Sequence, residues 1–407
     1  MFTLSHFIEV LFVFLKLGIR SFGGPIAHLG YFHETFVRRK KWISESDFAD
    51  TVALCQVIPG PTSSQVGMMV GSTRAGFWGA LAAWIGFTMP SALIMFVAGF
   101  AATTFPSSLP FGMLHGLKLA AVAVVAHALV SMFVSLCFDV PRKLLATGVA
   151  LALFVFKYPF AQVTMILVGA VFGLCFLRSL PDPSNATQNA RLMNLEPRRS
   201  LFFLVTFFVL LFVLPIVDKT YELPLLNVFE KCFRSGALVF GGGHVVLPLL
   251  ENEFVGGRIL SKETFLAGYG TAQALPGPLF SFAAFLGAAS IDSGLGVVAA
   301  GLASAAAVLG IFMPSFLLLP GIFPLWKSIK TFPSVELALA GVNAAVVGML
   351  ASVLVESVVT GAELNPASIT LLAVNFALLK WGRWPSWAVV ILSAALATVG
   401  GDLWANS

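Results

Sequence analysis

Helix-breaking residues recur in pairs inside long apolar runs of this chain, and that narrows its possible folds more than any other feature. Phe22-Gly23-Gly24 in the first half returns as Phe240-Gly241-Gly242 in the second, and Phe36-Val37 returns at the same offset as Phe254-Val255. Gln56-x-x-Pro59-Gly60-Pro61 returns as Gln273-x-x-Pro276-Gly277-Pro278, and Met89-Pro90-Ser91 as Met313-Pro314-Ser315. Glycine and proline interrupt helices, the first by freeing the backbone and the second by removing a donor. Duplicated, Gly/Pro-interrupted apolar segments are the pattern expected where two membrane repeats meet around a transported solute.

Composition fixes the setting. Apolar residues make up 58% of the chain and charged residues 11%, with a mean hydropathy of +0.93. A soluble domain is nearer half apolar and a quarter charged, so the expected class is an all-α, polytopic integral membrane protein. The first segment carries Glu9, Lys16 and Arg20 and lacks a small-residue cleavage site, so it reads as a retained segment, not a signal peptide. Cys55, Cys137, Cys175 and Cys232 are scattered without metal or redox spacing and read as packing residues. There is no phosphate-binding Gly-x-x-x-x-Gly-Lys motif, no His-Glu-x-x-His and no nucleophile elbow. The expectation is therefore no enzyme, no cofactor, no metal and no nucleic-acid partner.

Apolar stretches at 4–22, 48–72, 75–101, 113–138, 143–157 and 160–178 are candidate spans of a first domain, 1–178. A polar linker and one connecting run, 200–217, occupy 179–221; a second domain, 222–407, repeats the pattern at 222–243, 265–290, 293–320, 335–358, 366–381 and 385–404. If each six-segment half crosses an even number of times, the extra run turns the second half over, giving an inverted repeat. Cations support this arrangement. With the N-terminus in the cytoplasm, Arg74, Arg142, Lys143, Arg198, Arg199, Arg258 and Lys262 fall inside with others, and few fall outside. The C-terminus is then external. Arg38–Lys41 is the exception: either Gly24–Trp42 re-enters and returns that loop inward, or the cluster forms a basic outer mouth. The sequence also leaves open whether the Pro-Gly-Pro segments cross or dip and return.

Three groups of residues could carry chemistry. Lys16, Arg20 and Arg234 are cations in apolar runs, where each costs roughly 2.5–3.5 kcal/mol and so faces a pathway or a partner; Glu9 and Glu230 are the obvious partners. Ser21, Gly23, Gly24 and Pro25, with Gly241, Gly242 and Gly243, would turn backbone N–H groups inward as an anion site. Gln56, Pro59, Gly60, Pro61 and Ser63, with Gln273, Pro276, Gly277 and Pro278, combine an open backbone with short neutral donors. The alternative for this block is a structural proline kink. For protons, His28, Glu34, Asp50 and His244 are candidates; an intramembrane histidine is otherwise an interhelical hydrogen-bond donor.

Ser21–Gly30, reading Ser-Phe-Gly-Gly-Pro-x-Ala-His-x-Gly, with Phe36, Phe240–His244 and both Gln-x-x-Pro-Gly-Pro blocks, resembles the long-chain, two-domain chromate ion transporters. The resemblance covers about residues 4 to 404. It implies two homologous domains of opposite topology in a bacterial cytoplasmic (inner) membrane. It also implies export of chromate, a sulfate-like oxyanion, coupled to protons and conferring chromate resistance. Lys16 stands where the family usually has arginine. The expected partners are the oxyanion, protons and lipid, with a homodimer left open. A sulfate or other oxyanion transporter, an anion channel, or a non-transporting scaffold are the alternatives.

Overall fold

The computed structural model describes residues 4–104, 111–156, 161–177, 197–240, 243–326, 332–361 and 366–400. Every regular element among them is helical. In chain order they are α1 (Leu4–Arg20), α2 (Gly24–Phe32, running into a π-helical turn, His33–Arg39), α3 (Glu45–Val57), α4 (Thr62–Thr104), α5 (Phe111–Leu136), α6 (Val140–Val155), α7 (Ala161–Phe176) and α8 (Pro197–Tyr221). Then come α9 (Pro224–Ala237), α10 (Val246–Glu251, running into the π-helical turn Asn252–Gly256), α11 (Lys262–Ala274), α12 (Phe282–Ala289), α13 (Gly296–Ile322), α14 (Pro333–Gly361), α15 (Pro366–Lys380) and α16 (Ser386–Val399). Five stretches among the described residues, 62–104, 112–136, 198–221, 296–325 and 334–356, are long and apolar enough to cross a membrane. The molecule is a polytopic membrane protein.

The duplication extends to local backbone detail. Ser44 caps α3 by accepting the Asp47 N–H at 3.1 Å, and Ser261 caps α11 by accepting the Thr264 N–H at 3.2 Å. Both second helices end in π-helical turns followed by a left-handed cation, Lys41 (φ 52) and Arg258 (φ 57). Phe36 and Phe254 are fully buried at matching places. Gly86 seats against the backbone of Leu11 and Leu15, as Gly310 seats against Phe229; Gly18 abuts the Phe87 carbonyl and Gly236 the Ile311 carbonyl. A Cβ at these glycines would strike backbone, so glycine permits the close crossing of α1 on α4 and of α9 on α13.

The glycine and proline blocks reverse the chain. α1 ends at Arg20, Gly23 (φ 103) and Gly24 (φ 76) take left-handed conformations, and α2 runs back until Lys40 meets Glu9 at 3.5 Å. α3 then runs in to Pro59-Gly60-Pro61, and the first part of α4 returns until Arg74 meets the same Glu9 at 3.0 Å. At Ala75 (φ −141) and Gly76 (φ 59) the 43-residue α4 breaks, and its second part traverses the bundle. The runs at 4–22 and 48–72, candidate spans in the sequence, therefore belong to segments that turn back within the bundle. Each supplies one limb or both limbs of a hairpin that enters and leaves at one end. The second half repeats the two hairpins with α9/α10 and α11/α12.

Relative direction follows from contacts between the equivalent helices α4 and α13. Trp84 packs edge-on against Phe312 and Phe316, whereas Phe96 lies beside Gly301. Residue numbers rise on one helix as they fall on the other, so the two run in opposite directions. Arg38–Lys41, Arg74, Arg142, Lys143 and the start of α8 share the end where the chain begins. Arg258 and Lys262, expected beside Arg74, lie at the far end, because the second pair of hairpins opens there.

The halves are not packed alike. α11 lies on α5 and α16, and Gly270 approaches the Leu117 carbonyl so closely that a Cβ would sit 2.5 Å from it. α3 packs on α4 and the preceding π-helical turn, with no comparable packing on α14. Its Ala49, Ala53 and Gln56 are exposed, while the matching Leu266 and Gly270 are buried.

Candidate functional site

At the centre of the molecule the two breaks close each other. The Gly60 N–H donates to the Val239 carbonyl at 2.8 Å, and the Gly277 N–H donates to the Ser21 carbonyl at 2.9 Å. Ser21 and Val239 are repeat partners, as are Gly60 and Gly277, so each Pro-Gly-Pro turn pairs with the residue before the Phe-Gly-Gly block of the other half. Both glycines need a left-handed backbone, with φ of 129 and 97. Gly243 also faces Pro25, since a Cβ there would sit 3.4 Å from Pro25 Cγ. Gly241 and Gly242 lie outside the described residues.

Polar side chains line this junction. His28 is buried, its Nδ1 3.3 Å from Ser63 Oγ and its Nε2 3.1 Å from the Ser21 carbonyl. Gln65, fully buried, donates from Nε2 to the Pro59 carbonyl (2.8 Å) and to Ser315 Oγ (3.1 Å). It thus satisfies one carbonyl that the proline break would strand. Ser91 and Ser315, from the paired Met-Pro-Ser blocks, face Gly277 and Gly60 respectively. His244 Nδ1 lies 2.8 Å from the Tyr269 hydroxyl. Among the described residues, Ser21 Oγ, Ser64 Oγ, Gln65 Oε1 and Gln273 Nε2 are buried with no hydrogen-bond partner. The junction therefore has unused hydrogen-bonding capacity, which suits a small polar solute.

The candidate cations stand elsewhere. Lys16 and Arg20 are exposed on α1. Arg234 is held by two carboxylates, Glu230 at 3.0 Å and Glu253 at 2.6 Å, in a cluster with the Lys231–Glu253 pair (3.6 Å) beside a cavity of about 720 Å³. Glu9 binds Lys40 and Arg74, not Lys16. Gln56 is exposed on α3, Gln273 half-buried on α11, and Asp50 half-buried on α3. Glu34 pairs with Arg39 at 2.8 Å and Arg38 at 3.9 Å, and the Arg39 hydrogen bond holds its carboxyl below the usual carboxylate range.

Two residues were not singled out from the sequence. Gln65 lacks a repeat counterpart, because Phe282 occupies that position, so the duplication did not flag it. Lys118 is a lysine inside the apolar run of α5, nine-tenths buried. The cost of a cation in such a run was the available signal.

The sequence profile described as Chromate transporter matches residues 8–174 and 226–399, most of the chain. The protein belongs to the chromate transporter family. A chromate transport protein of Pseudomonas aeruginosa is 26% identical over 94% of this chain and 90% of its own length. One from Cupriavidus metallidurans is 25% identical over 95% and 91%. An uncharacterised transporter of Methanocaldococcus jannaschii is 26% identical over 96% and 93%. No solved structure matches. The two family matches bracket the linker and α8, and each contains one Phe-Gly-Gly and one Pro-Gly-Pro block. As a member of a transporter family, the protein is not an enzyme.

Proposed function

We propose that this chromate transporter family member exports chromate, or a closely similar divalent tetrahedral oxyanion, from the cytoplasm. The reading treats residues 1–178 and 222–407 as an inverted repeat joined through 179–221, with the solute handled at the central junction. The observation that carries it is the reciprocal pair of hydrogen bonds, Gly60 to Val239 and Gly277 to Ser21. Backbone breaks at membrane depth are tolerated where protein or a solute path satisfies the freed groups. Here two oppositely directed halves do so for each other.

The uneven packing supports alternating access. The hairpin carrying α11 is docked on α5, while that carrying α3 is undocked from α14. In this reading the uneven docking is one of two states that expose the junction to different sides, and the end bearing Arg38–Lys41, Arg74 and Arg142 is cytoplasmic by the bias of cations. Docking α3 and releasing α11 would expose the junction to the other side. An inside-negative potential contributes ~2.3 kcal/mol per charge per 100 mV, so a dianion is driven outward by about twice that; proton coupling would add to it.

Purified protein in liposomes, loaded with labelled chromate and given an inside-negative potential, should lose label faster than protein-free vesicles. External sulfate should slow this loss if the ions share a site. Flux that never saturates and cannot be driven uphill would mean a channel, and no flux of either anion would sink the proposal.

A further inference from the structure

We infer that Lys118 supplies the positive charge of the oxyanion's path, at the inner end of a cavity that leads from the junction toward the end of the molecule bearing Glu263. This rests on the transport reading above. Lys118 lies on α5 with 9% of its surface exposed, and it makes no ion pair or hydrogen bond among the described residues. It lines a cavity of about 700 Å³ between the second part of α4, α5, α11 and α16.

The cavity follows α11. Its lining includes the exposed Glu263 in the first turn and Ala274 at the last residue, a length of about 17 Å at 1.5 Å per residue. The contact between Gly270 and the Leu117 carbonyl sets the level of Lys118 in the inner half of that length. Ala274 lies two residues before Pro276, so the inner end of the cavity stops close to the Pro-Gly-Pro turn that is bonded to Ser21. Lys118 thus sits between the level of the junction and the end bearing Glu263.

An ammonium buried without a carboxylate is destabilising, because desolvation is not offset by Coulomb attraction. A lysine held this way in a spanning helix is explained by an anion that comes and goes. The other cations do not meet that description: Arg234 has two carboxylates, and Lys16 and Arg20 are exposed. The lining near Lys118 is mainly apolar, with Ala98, Ala102, Leu114, Ala267 and Phe285. Apolar walls lower the local dielectric, which strengthens a lone charge, and leave few groups to retain the ion. Glu263 at the outer mouth is exposed to solvent, where its repulsion of an anion is screened.

The test uses the full-length protein in liposomes, comparing wild type with Lys118→Met, Lys118→Arg and the exposed control Lys16→Met. Labelled chromate flux and chromate-induced change in melting temperature are read together. Expected are at least a tenfold rise in chromate KM for Lys118→Met and a partial return for Lys118→Arg, with Lys16→Met at wild-type values. The melting temperature of ligand-free Lys118→Met should equal or exceed that of wild type, since an uncompensated charge has gone, and its chromate-induced shift should vanish. A lysine needed only for the fold would instead lower the melting temperature. Unchanged KM in a folded Lys118→Met protein overturns the assignment. So does a variant that loses only a co-purifying anionic lipid, detected by native mass spectrometry, while keeping its KM. Absence of chromate flux in the wild type itself would instead overturn the functional reading on which this rests.

Discussion

Substituting alanine at Gly60, Gly277 and Gly24 should destabilise the protein in that order, and the order can be worked from geometry. At Gly60 (φ 129) a Cβ would sit 2.5 Å from Gln65 Nε2 and 2.7 Å from Ser315 Oγ. Holding alanine in a sparsely populated conformation costs about 1–3 kcal/mol. Displacing neighbours in a packed interior adds about 1–3 kcal/mol. Because Gln65 is itself bonded to the Pro59 carbonyl and to Ser315, pushing it aside forfeits two hydrogen bonds, about 0.5–1.5 kcal/mol each. The sum for Gly60→Ala is about 3–6 kcal/mol, allowing for overlap between terms. At Gly277 (φ 97) the nearest atoms are Ser91 Oγ at 2.9 Å and the Phe87 carbonyl at 3.3 Å, so the crowding is milder and no comparable network is displaced. At Gly24 (φ 76) nothing lies within 4 Å, leaving backbone strain of about 1–2 kcal/mol alone. Thermal unfolding of the three purified variants in one detergent, followed by a thiol-reactive or tryptophan signal, gives the comparison. If Gly60→Ala melts with or above Gly24→Ala, the closed junction described here is wrong.

Three further outcomes are expected. Arg234→Ala should cost about 3–5 kcal/mol, because Glu230, 2% exposed, would be left without its guanidinium; the Arg234→Ala/Glu230→Gln double variant should recover part of the lost melting temperature, and a purely additive cycle would contradict the pairing. Cysteines placed at Lys41 and Arg258 in a background lacking reactive native cysteines should react with a membrane-impermeant maleimide from opposite faces; labelling from one face would refute the inverted arrangement. Glu34→Gln should leave the pH dependence of flux around neutrality unaltered, since Arg39 lowers the folded pKa of Glu34 below its ordinary value. The carboxylate is then ionised throughout that range, and its contribution would be lost only as pH falls through the lowered value. A changed profile near neutral pH would restore Glu34 as a proton carrier.

Much of this architecture is written in the breaks. Gly23, Gly60 and their counterparts announce themselves because glycine and proline are conspicuous in apolar runs, and the pairing of the blocks gives two related halves. What the letters do not reveal is where a run turns. Residues 4–22 are long enough for a membrane span, and only the return of Lys40 to Glu9 shows that the chain comes back. That fold-back also answers the position of Arg38–Lys41, which joins the end bearing Arg74. Glu230 was legible as a partner for Arg234 because it lies one helical turn earlier. Glu253 was not, since the reversal at the glycines brings it across. Lys118 has no basic counterpart in the second half, so a search guided by duplication passes over it.

Because each break closes on the opposite half, neither half contains what its own turn requires. A polypeptide ending after α7 would keep the Gly60 amide and lose the Val239 carbonyl, stranding a buried donor at about 1–3 kcal/mol. It could recover that bond only from the Ser21 carbonyl of a second copy lying head to tail. Joining two such units through α8 replaces an encounter that depends on dilution with one set by tether length. Once fused, the units no longer have to match, and one of them is free to keep a lysine that the other does without.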